Sequence, residues 1–206
     1  MPAIPLTVPH PRPAYAASSD LRSEIRNATA SAHARLDALF GQCDLQILPG
    51  YRGFLEAHAA AVLPLEAALT RSGVDRLFPD WRSRSRSRAL AADLISLGGQ
   101  ISPVPALPRL DFGGVLGTMY VLEGSRLGAR FLLARVEQSR DPVVAGTTAY
   151  LSHGSGSQLW RSFLDRLEQH GAKLSDPAKP IEAARRTFGL FERAAASLAG
   201  CEAAHS

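Results

Sequence analysis

A chain of 206 residues is long enough for one domain that buries about 70% of its unfolded surface, and it requires no second. Although 46% of the residues are apolar, no stretch reaches the roughly 20 apolar residues of a membrane-spanning helix. A net charge of +4 suits an anionic ligand or an acidic protein partner and falls short of a nucleic-acid signature. Two cysteines, Cys43 and Cys201, show neither framework spacing nor a C-x-x-C pair, which points to a reducing cytoplasm.

Residues 1–19 hold Pro2, Pro5, Pro9, Pro11 and Pro13 without the continuous apolar core of a secretory signal, and they read as a flexible tail. Beyond them apolar residues recur at spacings of three and four, and alternating β-branched runs are missing. The expectation is therefore one all-α domain over residues 20–200, a bundle of about six helices, followed by a short tail over 201–206.

The first helix, Leu21 to Phe40, takes Ser19 or Asp20 as N-cap, stops at Gly41 and turns Ile25, Thr29, Ala32, Leu36 and Leu39 inward. The second, Gly50 to Thr70, carries the stripe Tyr51, Phe54, Leu55, His58, Val62, Leu65 and Leu69. Pro64 is predicted to kink or split it, and Ser72 and Gly73 to end it. A third, Ser87 to Leu97, places Leu90, Leu94 and Leu97 on one face, and a proline-rich loop from Ser102 to Pro108 follows. The remaining helices run from Asp111 to Arg140, Ser157 to His170 and Pro177 to Leu198, with Pro177 suited to a first turn. The run Arg82, Arg84, Arg86 and Arg88, alternating with serines, reads as a solvated helix start rather than an RNA-binding segment.

Chemistry concentrates in two segments. On the fourth helix Gly117, Val121, Gly124 and Gly128 share one face at spacings of four, three and four. Glycine within a helix costs about 1 kcal/mol relative to alanine, so the stripe implies something bulky or flat against it, either another helix or a planar ligand. Read alone, it favours the helix. On the first helix Arg26, Thr29, His33, Asp37 and Phe40 continue one side. A neutral imidazole suits iron, and a guanidinium seven residues away can meet a carboxylate at a porphyrin edge. Alone, His33 is more simply a core or surface histidine.

Taken together, the residues Leu21-Arg22, Thr29, His33 and Leu36-Asp37, then Tyr120-Val121-Leu122-Glu123-Gly124-Ser125-Arg126-Leu127-Gly128, resemble the bacterial haem oxygenases. Asp80-Trp81 followed by arginines, then Asp93-Leu94 and Leu97-Gly98, resembles the forms associated with bacterial phytochromes. The likeness spans about Leu21 to Leu198. It implies a haem-oxygenase-like helical bundle in which haem b, both cofactor and substrate, lies between His33 as proximal iron ligand and a distal helix bearing Gly124, Ser125 and Gly128. It further implies Arg26, Thr29, Tyr120, Val121, Arg161 and Phe188 around the cofactor, with Arg185 or Arg186 as further partners for a propionate. O2 and electrons from reduced ferredoxin or another reductase would open the ring to biliverdin, CO and ferrous iron, with a bacterial phytochrome as biliverdin acceptor.

This sequence departs from the animal enzymes at two positions. Ser125 stands where they carry an acidic residue that organises water, and Ala129 replaces the second glycine of their adjacent pair. Glu123 lies off the glycine face and is expected to pair with Arg26 or His58. The alternative is a haem-binding carrier or sensor that keeps His33 without turnover. A di-iron site lacks paired Glu-x-x-His sets among Glu56, His58, Glu66 and Glu123, and Cys43 has no histidine motif beside it for hydrolysis.

Overall fold

The computed structural model describes residues 20–103 and 105–203, the last seven as backbone only. The tail expected over 1–19 and residues 204–206 lie outside the described residues. The described chain is all-helical, with α1 (Leu21–Gly41), α2 (Leu48–Arg71), a 3-10 turn (Val74–Arg76), α3 (Trp81–Arg84) and α4 (Ser87–Ser96). It continues as α5 (Phe112–Glu137), α6 (Pro142–Gly146), α7 (Ala149–Ser152), α8 (Leu159–Gly171) and α9 (Ala178–Ala203).

The six long elements match the expected periodic segments to within a few residues. The short helices α3, α6 and α7 were not expected, because four or five residues are too few to show a period. Local side-chain caps start some of the long ones. Asp20 accepts from Arg22 N at 3.1 Å to open α1, and Asp111 accepts from Gly114 N at 2.7 Å to open α5. Helix α2 closes on Gly73, whose φ of 75° is a left-handed cap that a side chain would strain. It runs unbroken through Pro64, contrary to a split, because the apolar residues on both sides of the proline are buried in the core.

Helix α9 is the platform. It packs against α5, α1 and α2, while α8 lies on α5 and α1, and α4 and α7 cover the far side of α2 and α5. Helices α1 and α5 both rest on α9 yet barely touch each other. No helix among the described residues is long and apolar enough to cross a membrane.

The α5/α9 approach depends on glycine. A Cβ on Gly117 would stand 2.0 Å from the Pro180 carbonyl oxygen, and one on Gly113 would stand 2.7 Å from Lys179 Cβ. Half of the glycine stripe therefore answers to a neighbouring helix. In the core behind it, the His58 ring lies 4.0 Å from Phe54, 4.6 Å from Phe40, 5.6 Å from Phe191 and 5.7 Å from Tyr150, centroid to centroid. Its Nδ1 is 2.9 Å from the Phe54 carbonyl, which can only accept, so the hydrogen sits on Nδ1. Burial pulls the His58 pKa down to about 4, aided by the Arg86 charge and opposed by that hydrogen bond.

Two outcomes follow from this packing. Gly117→Ala is expected to destabilise the fold by about 1–3 kcal/mol through overpacking, read as a lowered urea midpoint. Because folded His58 resists protonation, the unfolded chain takes up the proton first. Its contribution to stability is thus complete above about pH 6.5 and is lost as pH falls towards about 4. The stability gap between the haem-free protein and His58→Leu should narrow across that window, and a constant gap would refute the assignment.

Candidate functional site

Helix α1 presents its imidazole outward. The His33 side chain is 64% exposed, and its Nδ1 lies 2.8 Å from Asp37 Oδ2, one turn on. That contact occupies Nδ1 and leaves Nε2 for a ligand. The Phe188 ring of α9, itself buried, is 5.9 Å from the imidazole and forms the floor on this side. Arg26 is exposed about two turns earlier, roughly on the same side. Thr29 is buried, and its hydroxyl donates to the Ile25 carbonyl at 2.7 Å, so it closes its own helix rather than facing the opening.

Helix α5, also packed on α9, changes character along its length. Val121 is buried with the first half. A Cβ at Gly124 would meet only the Trp160 ring at 3.7 Å, and one at Gly128 would meet nothing within 4 Å. Leu127 and Phe131, beside these glycines, are 51% and 78% exposed. Tyr120 is half-buried against Trp160 and Phe163 of α8, at 5.8 and 6.4 Å between ring centroids. Burial raises its phenol above the usual range, while Arg22 and Arg26 at the start of α1 pull it down and Asp20 pushes it up. The tyrosine hydroxyl therefore sits in the field of those two cations.

The Arg-Ser run is the largest correction to the sequence reading. Arg82 and Arg88 are exposed, whereas Arg84 and Arg86 are buried. Ser85 is extended, which turns the side chains on either side of it to one face. Arg84 uses all five of its N–H donors. Asp80 accepts two, at 2.9 and 2.8 Å, and Glu123 Oε2, the Leu159 carbonyl and Ser162 Oγ take the rest at 2.8, 3.0 and 2.8 Å. Arg86 donates to the Leu122 carbonyl at 3.0 Å and to Ser125 Oγ at 2.9 Å, with its guanidinium 5.2 Å from the Tyr150 ring centroid. Arg126 reaches Glu123 Oε1 at 3.2 Å, the Arg84 carbonyl, and both Nδ1 and the carbonyl of His153 at 3.2 and 3.1 Å.

Glu123 is accordingly a buried ion-pair partner, but of Arg84 and Arg126 rather than Arg26 or His58. The signal that could have found these partners was the two-residue alternation itself, since a solvated helix start has no reason to alternate. Trp160 was also missed, because only the packing of α8 brings it beside Gly124. Of the other arginines, Arg161 is exposed on α8, Arg185 donates to the Ala28 carbonyl at 3.2 Å, and Arg186 pairs with Glu182 at 3.5 Å.

These residues fit a flat, iron-bearing anion. Helix α1 offers an imidazole with Nε2 left over, α5 a glycine with open space around it, and both helices pack on α9. A separate apolar cavity of about 340 Å³, between Leu63, Pro64 and Ala67 of α2 and the loop at Ile101 and Pro103, has no metal-ligating side chain in its walls. Its one cation, Arg71, already donates to the Leu107 carbonyl at 2.6 Å.

No family model matches the chain. It is 31% identical over 187 residues to the haem oxygenase PigA of Pseudomonas aeruginosa, covering 84% of this chain and 93% of that protein. It is 30% identical over 142 residues to the haem oxygenase of Xanthomonas campestris pv. campestris, covering 68% of this chain and 86% of that one. The fold is shared with a Neisseria meningitidis haem oxygenase solved with NO and CO bound, at a TM-score of 0.67 and 20% identity over 88% of this chain and 92% of that one. With such identity sustained across most of both lengths, the chain belongs to the bacterial haem oxygenase family.

Proposed function

We propose that this chain binds haem b between α1 and α5 and cleaves it to biliverdin, CO and ferrous iron with O2 and electrons from an external donor. One juxtaposition carries the reading. An exposed imidazole on α1 keeps Nε2 for a metal, a glycine on α5 has open space around it, and both helices pack on α9.

Bound haem supplies the iron that takes up O2 and the ring that is oxidised. Nε2 of His33 would hold that iron, and Asp37, accepting the Nδ1 hydrogen, would fix the tautomer and raise the basicity of Nε2. A neutral imidazole lacks the electron push of a thiolate, which suits attack on the ring. Phe188 packs beside the imidazole, while Arg26 and the Tyr120 hydroxyl offer charge and a hydrogen bond to the propionates, with Arg161 as a further cation. Gly124 and Gly128, having no side chains, would let the α5 backbone come close to the haem and to O2. Ser125 supplies no carboxylate to order water, and its hydroxyl is held by Arg86 while it donates to the Leu122 carbonyl at 2.8 Å.

The positive net charge suits an acidic electron donor, a reduced ferredoxin or another reductase, in the cytoplasm. The Asp80-Trp81 and Asp93-Leu94 stretches support supply of biliverdin to a bacterial phytochrome.

The purified protein should take up one equivalent of hemin with a histidine-ligated spectrum, and His33→Ala should lose that spectrum. Added ascorbate or a ferredoxin system should bleach the Soret band and yield a bilin. A persistent band would mark a carrier or sensor instead. Gly128→Ala should stabilise the haem-free protein by about 1 kcal/mol, the ordinary helix propensity gain, while slowing ring opening. A variant that gains stability and keeps full turnover would remove the reason given for the glycine.

A further inference from the structure

Helix α5 is held by two different means. From Gly113 to Glu123 every residue but Tyr120 is buried, whereas from Gly124 to Glu137 only Ala129 and Val136 are. Apolar packing therefore fixes the first half on nearly every side, whereas the second, which carries the open glycines, is held on one side by Ala129, Leu132, Leu133 and Val136. At the junction stands a cluster of buried charge. Arg84 is 0% and Glu123 2% exposed at the side chain, and Arg126 bridges Glu123 to the Arg84 carbonyl and to the loop at His153. Residues from the α3 segment, α5, the loop after α7 and the start of α8 thus meet at the residue just before Gly124.

Apolar side chains of similar volume commonly match or exceed a buried ion pair in stability, so such a pair is poor evidence of a stabilising device. What it does supply is direction. A guanidinium with five fixed donors accepts a carboxylate in very few positions. Near the start of the glycine segment, Arg86 of the same Arg-Ser run adds hydrogen bonds to Leu122 O and Ser125 Oγ, and the Trp160 ring lies beside Gly124.

We infer that Glu123 is a positioning residue. Clamped between Arg84 and Arg126, it fixes where Gly124 and Gly128 stand over the haem face, and with it which ring carbon is presented to O2. The inference rests on the proposed haem-cleaving function but concerns haem-free protein as well.

The test is hydrogen–deuterium exchange on the full haem-free chain, comparing wild type with Glu123→Gln and Arg84→Lys. Amides from Gly124 to Arg130 should exchange about tenfold faster in both variants, with those of α9 between Ala183 and Phe191 unchanged. Arg88→Ala, on the exposed side of the same run, should match wild type. After hemin loading, Glu123→Gln should keep the histidine-ligated spectrum yet shift the ratio of biliverdin isomers, which a merely structural role would leave alone. The inference is overturned if exchange stays within about twofold of wild type in the variants, or if the isomer ratio is unmoved. Should neither variant fold, wild type decides. Unprotected amides over Gly124 to Arg130 refute the clamp, and strong protection there, despite the scarcity of buried side chains, supports it. Failure of wild type to bind hemin would count against the function, not against this exchange result.

Discussion

The contact between α5 and α9 governs the rest of the molecule. With no Cβ at Gly113 or Gly117, the two helices close to a distance at which the Pro180 backbone occupies the space a side chain would need. Thr118 and Thr187 meet in that interface, their hydroxyl oxygens 3.4 Å apart. Once α9 is fixed against α5, its next turns carry Phe188 to His33 and Phe191 to His58, so α1 and α2 take their places on the same helix. Helices α1 and α5 are thus each anchored on α9 and hardly on one another.

Buried carboxylates do a second kind of work. Glu66 accepts from the backbone of Arg86 and Ser87 and from the hydroxyls of Ser85 and Ser87, which covers the start of α4 where no local cap exists. Asp93 accepts from Ala149 N at 3.2 Å and Tyr150 N at 2.7 Å and so starts α7 from another helix. Burial raises its carboxyl above the usual range, against those two hydrogen bonds. Unpaired N–H groups at a helix start attract anionic partners, and here the partners come from far along the chain. The carboxylates that would have been needed for a di-iron centre are thereby committed, Glu66 to the α4 start and Glu123 to two arginines.

Identical residues of opposite burial share one short run. Arg82 and Arg88 behave as solvated charges, but Arg84 and Arg86 lie between α5, α8 and the α2 carboxylate. Nothing local distinguishes the inner pair from the outer one except position, and position acquires meaning only when acids from distant helices arrive. The two halves of the glycine stripe divided for a similar reason. Gly117 and Gly128 look alike in sequence, yet one faces the Pro180 backbone and the other open space.

The sequence by itself determined the all-helical class, the long helices and most of their inward faces, because period and caps are properties of neighbouring residues. It also placed His33 and Asp37 one turn apart and Gly124 and Gly128 on one side of their helix, since helix geometry alone dictates that. Only the tertiary structure decided which glycines face a helix and which face open space, which arginines are buried, and what Glu123 holds. Those outcomes depend on close approach and on the desolvation of charge, and both are set by residues brought together from far apart in the chain.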